Sequence, residues 1–166
     1  VRWDSSVFPC PAYYGAKALV LASMRARGRT SRSILGTARV LAAPTRPYRP
    51  GVRPEQRGDR RLVELPIQVT PGLRLPVIGT SIGLARPRGA RFLARRCAGE
   101  PLVNLELHGI DFLDAADGLA HLVPHQPELR VPLAERMDAL TAFVDELRLR
   151  RHTFVRLDEA ARAFGA

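Results

Sequence analysis

Apolar positions near the end of the chain recur at the spacing of a helix. Leu133, Met137, Leu140, Val144 and Leu147 follow steps of four, three, four and three, which is one helical face. Pro132 stands at a favoured first-turn position. Glu135 and Asp138 lie early and Arg148, Arg150 and Arg151 late, as the helix dipole prefers. A second helix is predicted over 13–27, with Ala16, Leu19, Val20 and Met24 on one face and Gly28 as its stop. A shorter one over 88–98 has a strongly basic outer face. The period changes to two over 102–108. Val103, Leu105 and Leu107 share one side there, and Leu102, Asn104, Glu106 and His108 the other. Residues 2–8, 62–69 and 153–157 also read as strands. Residues 73–84 read as extended or looped, with Gly79 and Gly83 as breakers, and 109–130 as a polar loop. Asp158 reads as the N-cap of a last helix, 159–164. Strands alternating with helices predict an α/β layer or barrel with parallel strands. No internal repeat is visible.

Composition sharpens this picture. A chain of 166 residues with 46% apolar residues can form one domain with a core and is not a disordered tail. No run of eighteen apolar residues offers a membrane-spanning helix. The net charge of +10 is uneven. Residues 25–61 hold eleven arginines against Glu55 and Asp59, a balance of +9. Lys17 is the only lysine, a bias that a GC-rich coding sequence explains as well as any functional demand. Within that segment Pro44, Pro47, Pro50 and Pro54 exclude a regular helix, so 29–61 reads as a basic surface excursion with one short helix near Ser33–Thr37. Cys10, in a Pro-Cys-Pro turn, and Cys97, in a helix, read as two unpaired thiols, with a single disulfide as the alternative. The chain begins at Val1 within a strand-like run and shows no leader, so a truncated start is expected and the compartment stays open.

The strand 102–108 carries the best candidate for chemistry. In α/β barrels the reacting groups sit at the C-terminal ends of strands. His108 occupies such an end, and Gly109 follows to let the chain turn. A histidine there can act as a general acid near neutral pH. It can equally be a partly buried histidine bonded to a neighbouring carbonyl.

Leu105-Glu106-Leu107-His108 resembles the Leu-x-Leu-His motif of NodB-type polysaccharide deacetylases, carbohydrate esterase family four. Trp3-Asp4-Ser5-Ser6 followed by Pro9 resembles the family's aromatic-Asp-Ser-Ser strand. Leu62-Val63-Glu64-Leu65-Pro66 is similar to a recurrent family strand and the ending Phe154-Val155-Arg156-Leu157-Asp158-Glu159-Ala160-Ala161 to the family's closing strand and helix, so the resemblance runs over most of residues 1–166 in the family's order. It implies the C-terminal part of a distorted (β/α) barrel that removes acetyl groups from an N-acetylated polysaccharide. In the family a divalent metal, zinc or similar, held by one Asp and two His, activates a water. His108 would be the general acid that protonates the leaving amine, and Asp4 the carboxylate that orients it. Glu64 is a further candidate, for substrate binding.

The family's Thr-Phe-Asp-Asp-Gly motif is absent, and with it the base and one metal ligand. His121-Leu122-Val123-Pro124-His125 has the spacing of a His-Ser/Thr-x-x-His motif but lacks the Ser or Thr and falls out of order. Arg46-Pro47-Tyr48 is likewise an imperfect, misplaced match to Arg-x-Pro-Tyr. The expectation is therefore a metal supplied outside this chain and a chain inactive alone. His108, Asp111, Asp114, Asp117, His121 and His125 would share a helical face and could bind zinc, but Gly109, Gly118 and Pro124 argue against one helix. Two rivals remain. One is a polyanion or nucleic-acid binding module using 25–61, with Tyr48 stacking on a base; it lacks any nucleic-acid signature, and no nucleic acid is expected. The other is a deacetylase-like domain without chemistry. A part-barrel would also expose a strand edge, so the chain is expected to be loosely packed or aggregation-prone.

Overall fold

The computed structural model describes residues 2–31 and 37–166. It divides into two compact units, residues 1–76 with 161–166, and residues 77–160. Most of the short helix expected near Ser33–Thr37 lies outside the described residues.

The first unit is built on β1 (Trp3–Asp4) and β2 (Val63–Glu64), paired in parallel with Trp3 opposite Val63 and Asp4 opposite Glu64. Further bonds run along the same pair, from Leu65 N–H to the Asp4 carbonyl and from Ile67 N–H to the Val7 carbonyl, both 2.9 Å. Every residue from Val63 to Thr70 is buried, on both parities. A run covered on both faces is characteristic of parallel strands. Tyr48 joins on the other side of Glu64, exchanging backbone bonds of 3.0 and 2.8 Å in an antiparallel bridge. The basic segment is thus not wholly a surface excursion: Ala43, Tyr48, Pro50 and Gly51 are buried.

Helix α1 (Pro11–Ala26) follows β1. Pro11 supplies the first-turn proline, and the Cys10 sulfur accepts from Tyr13 N–H. Arg27 closes it and Gly28, at φ +68°, ends it as predicted. The predicted apolar face does not find a core. No residue of α1 is buried, and Leu19 and Val20 are 73% and 56% exposed.

The second unit is a helix pair. Helix α2 (Gly79–Cys97) packs on α3 (Leu133–Leu149), and Val77, Ile82, Ala90, Leu93, Ala94, Cys97, Ala139, Phe143 and Leu147 form its core. Residues 73–84 were expected to be extended or looped, broken by Gly79 and Gly83; instead the helix begins at Gly79. Both glycines answer to close neighbours rather than to a turn. A Cβ on Gly79 would collide with the Asp111 carboxylate, and one on Gly83 would sit 3.1 Å from the Arg136 Cγ. The helix breaks at Arg86, which has φ +58°, because Pro87 excludes helical geometry from the residue before it. The basic outer face over 88–98 is present, with Arg88, Arg91, Arg95 and Arg96 exposed.

The segment 102–108 is less of a strand than its alternation predicts. Glu106 alone pairs, in a parallel bridge to Ile78, and Gly79 N–H donates to the Glu106 carbonyl at 3.0 Å. The predicted sorting holds only in part: Val103 and Leu105 pack on the core, but Asn104 of the opposite parity is buried and Leu107 is exposed. Residues 153–156 form no strand among the described residues, and Phe154 and Val155 are exposed. Helix α4 spans Leu157–Ala163, so Asp158 lies inside its first turn; the Glu159 carboxylate accepts from Arg156 N–H at its start. Among the described residues the chain mixes helices with one pair of short parallel strands. No helix among the described residues is long and apolar enough to cross a membrane.

Candidate functional site

Asp4 and Glu64 belong to the first unit and His108 to the second. Asp4 leaves β1 exposed. Its Oδ1 accepts from Ser5 N–H at 2.8 Å and its Oδ2 from the Ser6 hydroxyl at 2.9 Å. Such a turn is what Asp-Ser-Ser permits, because short polar side chains bond their own backbone neighbours.

Glu64, directly across the pair, is only 2% exposed. Its Oε1 accepts from Ser6 N–H at 3.1 Å and Val7 N–H at 2.9 Å. Burial pushes its carboxyl above the usual range, the two N–H bonds pull it back, and the Asp4 charge pushes it up again. A carboxylate turned onto the chain's own amides fixes the turn that carries Asp4. Tyr48, beside it, donates its hydroxyl to the Pro54 carbonyl at 2.6 Å, and Arg57 lies over its ring. Burial, then Glu64 and Glu55, raise its phenol. Its ring is buried, so the base-stacking role considered for Tyr48 is corrected: it is a packed residue of the first unit.

His108 stands at the end of 102–108 with its side chain 60% exposed, and Glu106 Oε1 lies 3.8 Å from its Nε2. Residues two apart share a strand face, which brings these two together. The backbone beneath the ring is held firmly. His108 N–H donates to Asp111 Oδ2 at 2.7 Å, and Asp111 N–H donates back to the His108 carbonyl at 3.0 Å.

The acidic loop that follows is a series of short 3₁₀ turns, 109–112, 115–117 and 120–122, with Gly118 at φ +85° between the last two. A continuous metal-binding face therefore does not form. Each acid caps a turn instead. Asp111 takes His108 N–H; Asp117 takes Asp114 N–H at 2.7 Å; Asp114 takes Ala115 N–H at 2.6 Å and Leu133 N–H at 3.1 Å. Those two amides hold the Asp114 carboxyl below its usual range, with desolvation opposing and the Arg136 charge helping. His121 and His125 are exposed on the turns. Among the described residues no group of three or more His, Cys, Asp or Glu side chains could hold a metal ion. The residues present thus do not fit the divalent metal that the resemblance implies. Neither cysteine is in a disulfide; Cys10 and Cys97 are both buried thiols.

Sequence reading missed Arg136. It is buried inside the face of α3, and its guanidinium donates to the carbonyls of Val131, Ile110 and Asp111 at 3.1, 2.9 and 3.1 Å and to that of Leu113. The signal was present, since Arg136 sits three residues after Leu133 and four before Leu140, within the apolar stripe. No protein-family model, curated protein or solved structure matches this chain.

Proposed function

We propose that this chain is part of a metal-dependent hydrolase that deacetylates N-acetyl sugars in a polysaccharide, with His108 as general acid. The observation that carries this reading is the setting of His108. It ends a Leu-x-Leu-His segment that bridges in parallel to the chain entering α2, with an exposed ring on a backbone bonded at both its N–H and its carbonyl. Cleavage of an amide C–N bond expels an amine anion unless a proton arrives as the bond breaks. A histidine that is solvent-accessible, fixed at its main chain and beside a carboxylate suits that task. By the resemblance, Asp4, exposed and held by Ser5 and Ser6, corresponds to the family's orienting carboxylate. Glu64 serves as the clamp of the Asp4 turn. In this reading the metal ligands lie outside these residues. The protein belongs in the same proposal to a distorted (β/α) barrel, with an N-acetylated polymer as its partner.

The test is acetate release from N-acetylglucosamine oligomers by the complete protein supplied with zinc. His108→Ala should lower kcat by roughly 10²- to 10⁴-fold with a smaller change in KM. Absence of acetate release from the wild type, or an unchanged rate in the variant, would defeat the reading.

A further inference from the structure

We infer that Asp111 and Arg136 are positioning residues for His108, acting on its backbone through the loop 108–113; this rests on the reading of His108 as the general acid. The His108 side chain is 60% exposed, with Glu106 Oε1 3.8 Å from its Nε2. The direction in which its Cα–Cβ bond leaves the chain is set by its own backbone, at φ −113° and ψ 159°. Both polar groups that fix those angles end on one residue. The buried Asp111 carboxylate receives His108 N–H, and Asp111 N–H reaches the His108 carbonyl.

Asp111 is itself held from two sides. Gly79, the first residue of α2, brings its bare Cα against the Asp111 carboxylate, a space no side chain could share. From α3, Arg136 sends Nη1 to the Ile110 and Asp111 carbonyls and Nη2 to that of Leu113, while its Nε anchors on Val131. Gly83 leaves room for the arginine's aliphatic stem. A guanidinium is a rigid planar fork with five donors, and no other side chain can bind four carbonyls from one buried point. The two packed helices are thereby coupled to the His108 backbone: α3 through Arg136 and α2 through Gly79, both by way of Asp111.

The experiment is amide hydrogen exchange of His108, read by NMR relative to the Phe143 amide in the core of the same unit, so that loss of folding is seen as loss at both. Asp111→Ala should speed exchange at His108 by about tenfold or more, and Asp111→Asn, which keeps an acceptor oxygen, should stay within about threefold of wild type. Arg136→Lys keeps the charge but not the fork. It should also speed exchange at His108 and shift the ring-proton resonances of His108 at one fixed pH, although it does not touch that residue. Unchanged His108 exchange and ring resonances in Asp111→Ala, or in Arg136→Lys, would overturn the inference. Neither readout uses hydrolysis. A protein that passes here yet releases no acetate would therefore sink the deacetylase reading and leave the mechanical coupling intact.

Discussion

Glu64 shows how one residue's environment makes a pH signature. Its folded carboxyl is raised chiefly by burial. A raised acid contributes stability that is fully present below its unfolded value, about 4.3, and lost as pH rises through the folded value. Glu64→Gln keeps an acceptor for Ser6 and Val7 without a charge. It should therefore gain stability relative to wild type as pH rises from 4 upward, roughly the range over which the buried acid ionises. Thermal melts of both proteins across that range would check it, and a constant difference would mean that burial does not raise the folded carboxyl above its unfolded value. Asp114 behaves with the opposite sign. Its lowered carboxyl contributes stability above its unfolded value that is lost as pH falls through the folded one. At this scale the sequence was informative about which residues matter and silent about what they bond. Asp4, Glu64 and His108 were singled out from strand parity and family resemblance. Arg136 was passed over, because a pattern of apolar spacings has no place for a cation whose partners are carbonyls of a distant loop.

Elements were legible where their periodicity coincided with packing. α3 was predicted with its boundaries nearly as observed, but its buried stripe is Arg136, Ala139, Ala142, Phe143, Glu146 and Leu147, about one position round from the stripe of large apolar residues. The rotation follows from polar partners. Arg136 faces the loop carbonyls, and Glu146 binds Arg95 of α2 at 3.0 Å and Arg150 at 2.9 Å. Those arginines lower the Glu146 carboxyl, Arg95 foremost, so the α2–α3 link should weaken as pH falls through its folded value. Phe143, wholly buried between the helices, is the apolar counterpart: Phe143→Ala should cost about 3–5 kcal/mol by urea denaturation, through the cavity it leaves. α2 was half hidden, because Gly79 and Gly83 carry the composition of a break while serving as points of close approach. Gly79→Ala tests that directly. The added methyl meets the Asp111 carboxylate, and a loss of roughly 1–3 kcal/mol is expected. A neutral substitution would mean that the helix start and the His108 loop are not in contact. Strands were the least legible. Alternation over 102–108 placed Val103 and Leu105 on the core but not the buried Asn104 or the exposed Leu107; pairing depends on a neighbour elsewhere in the chain, and only Glu106 has one among the described residues.

For the whole molecule, parallel strand order and the existence of a core could be read from the chain, and the split into two units could not. The feature with most consequence at this scale is α1, apolar around most of its circumference yet without a buried residue. A helix of that kind is normally covered. The isolated chain should therefore bind a hydrophobic dye in its native state and self-associate with rising concentration; a monodisperse monomer that leaves the dye dark would contradict this. The charge has its own consequence. Arg49 and Arg60 give their hydrogen bonds to carbonyls and Arg57 lies on the Tyr48 ring, contacts that leave their charge unneutralised. Retention on heparin that falls with salt is expected, whatever the catalytic role. His108 is proposed to deliver the proton to the leaving amine, and a change of leaving group tests this role most directly. The complete protein and His108→Ala would be compared on an N-acetyl sugar and on an aryl acetate ester, whose phenolate departs without a proton. A loss of about 10²-fold or more on the amide and little loss on the ester are expected. Equal losses on both would mean that His108 does something other than protonate the leaving group.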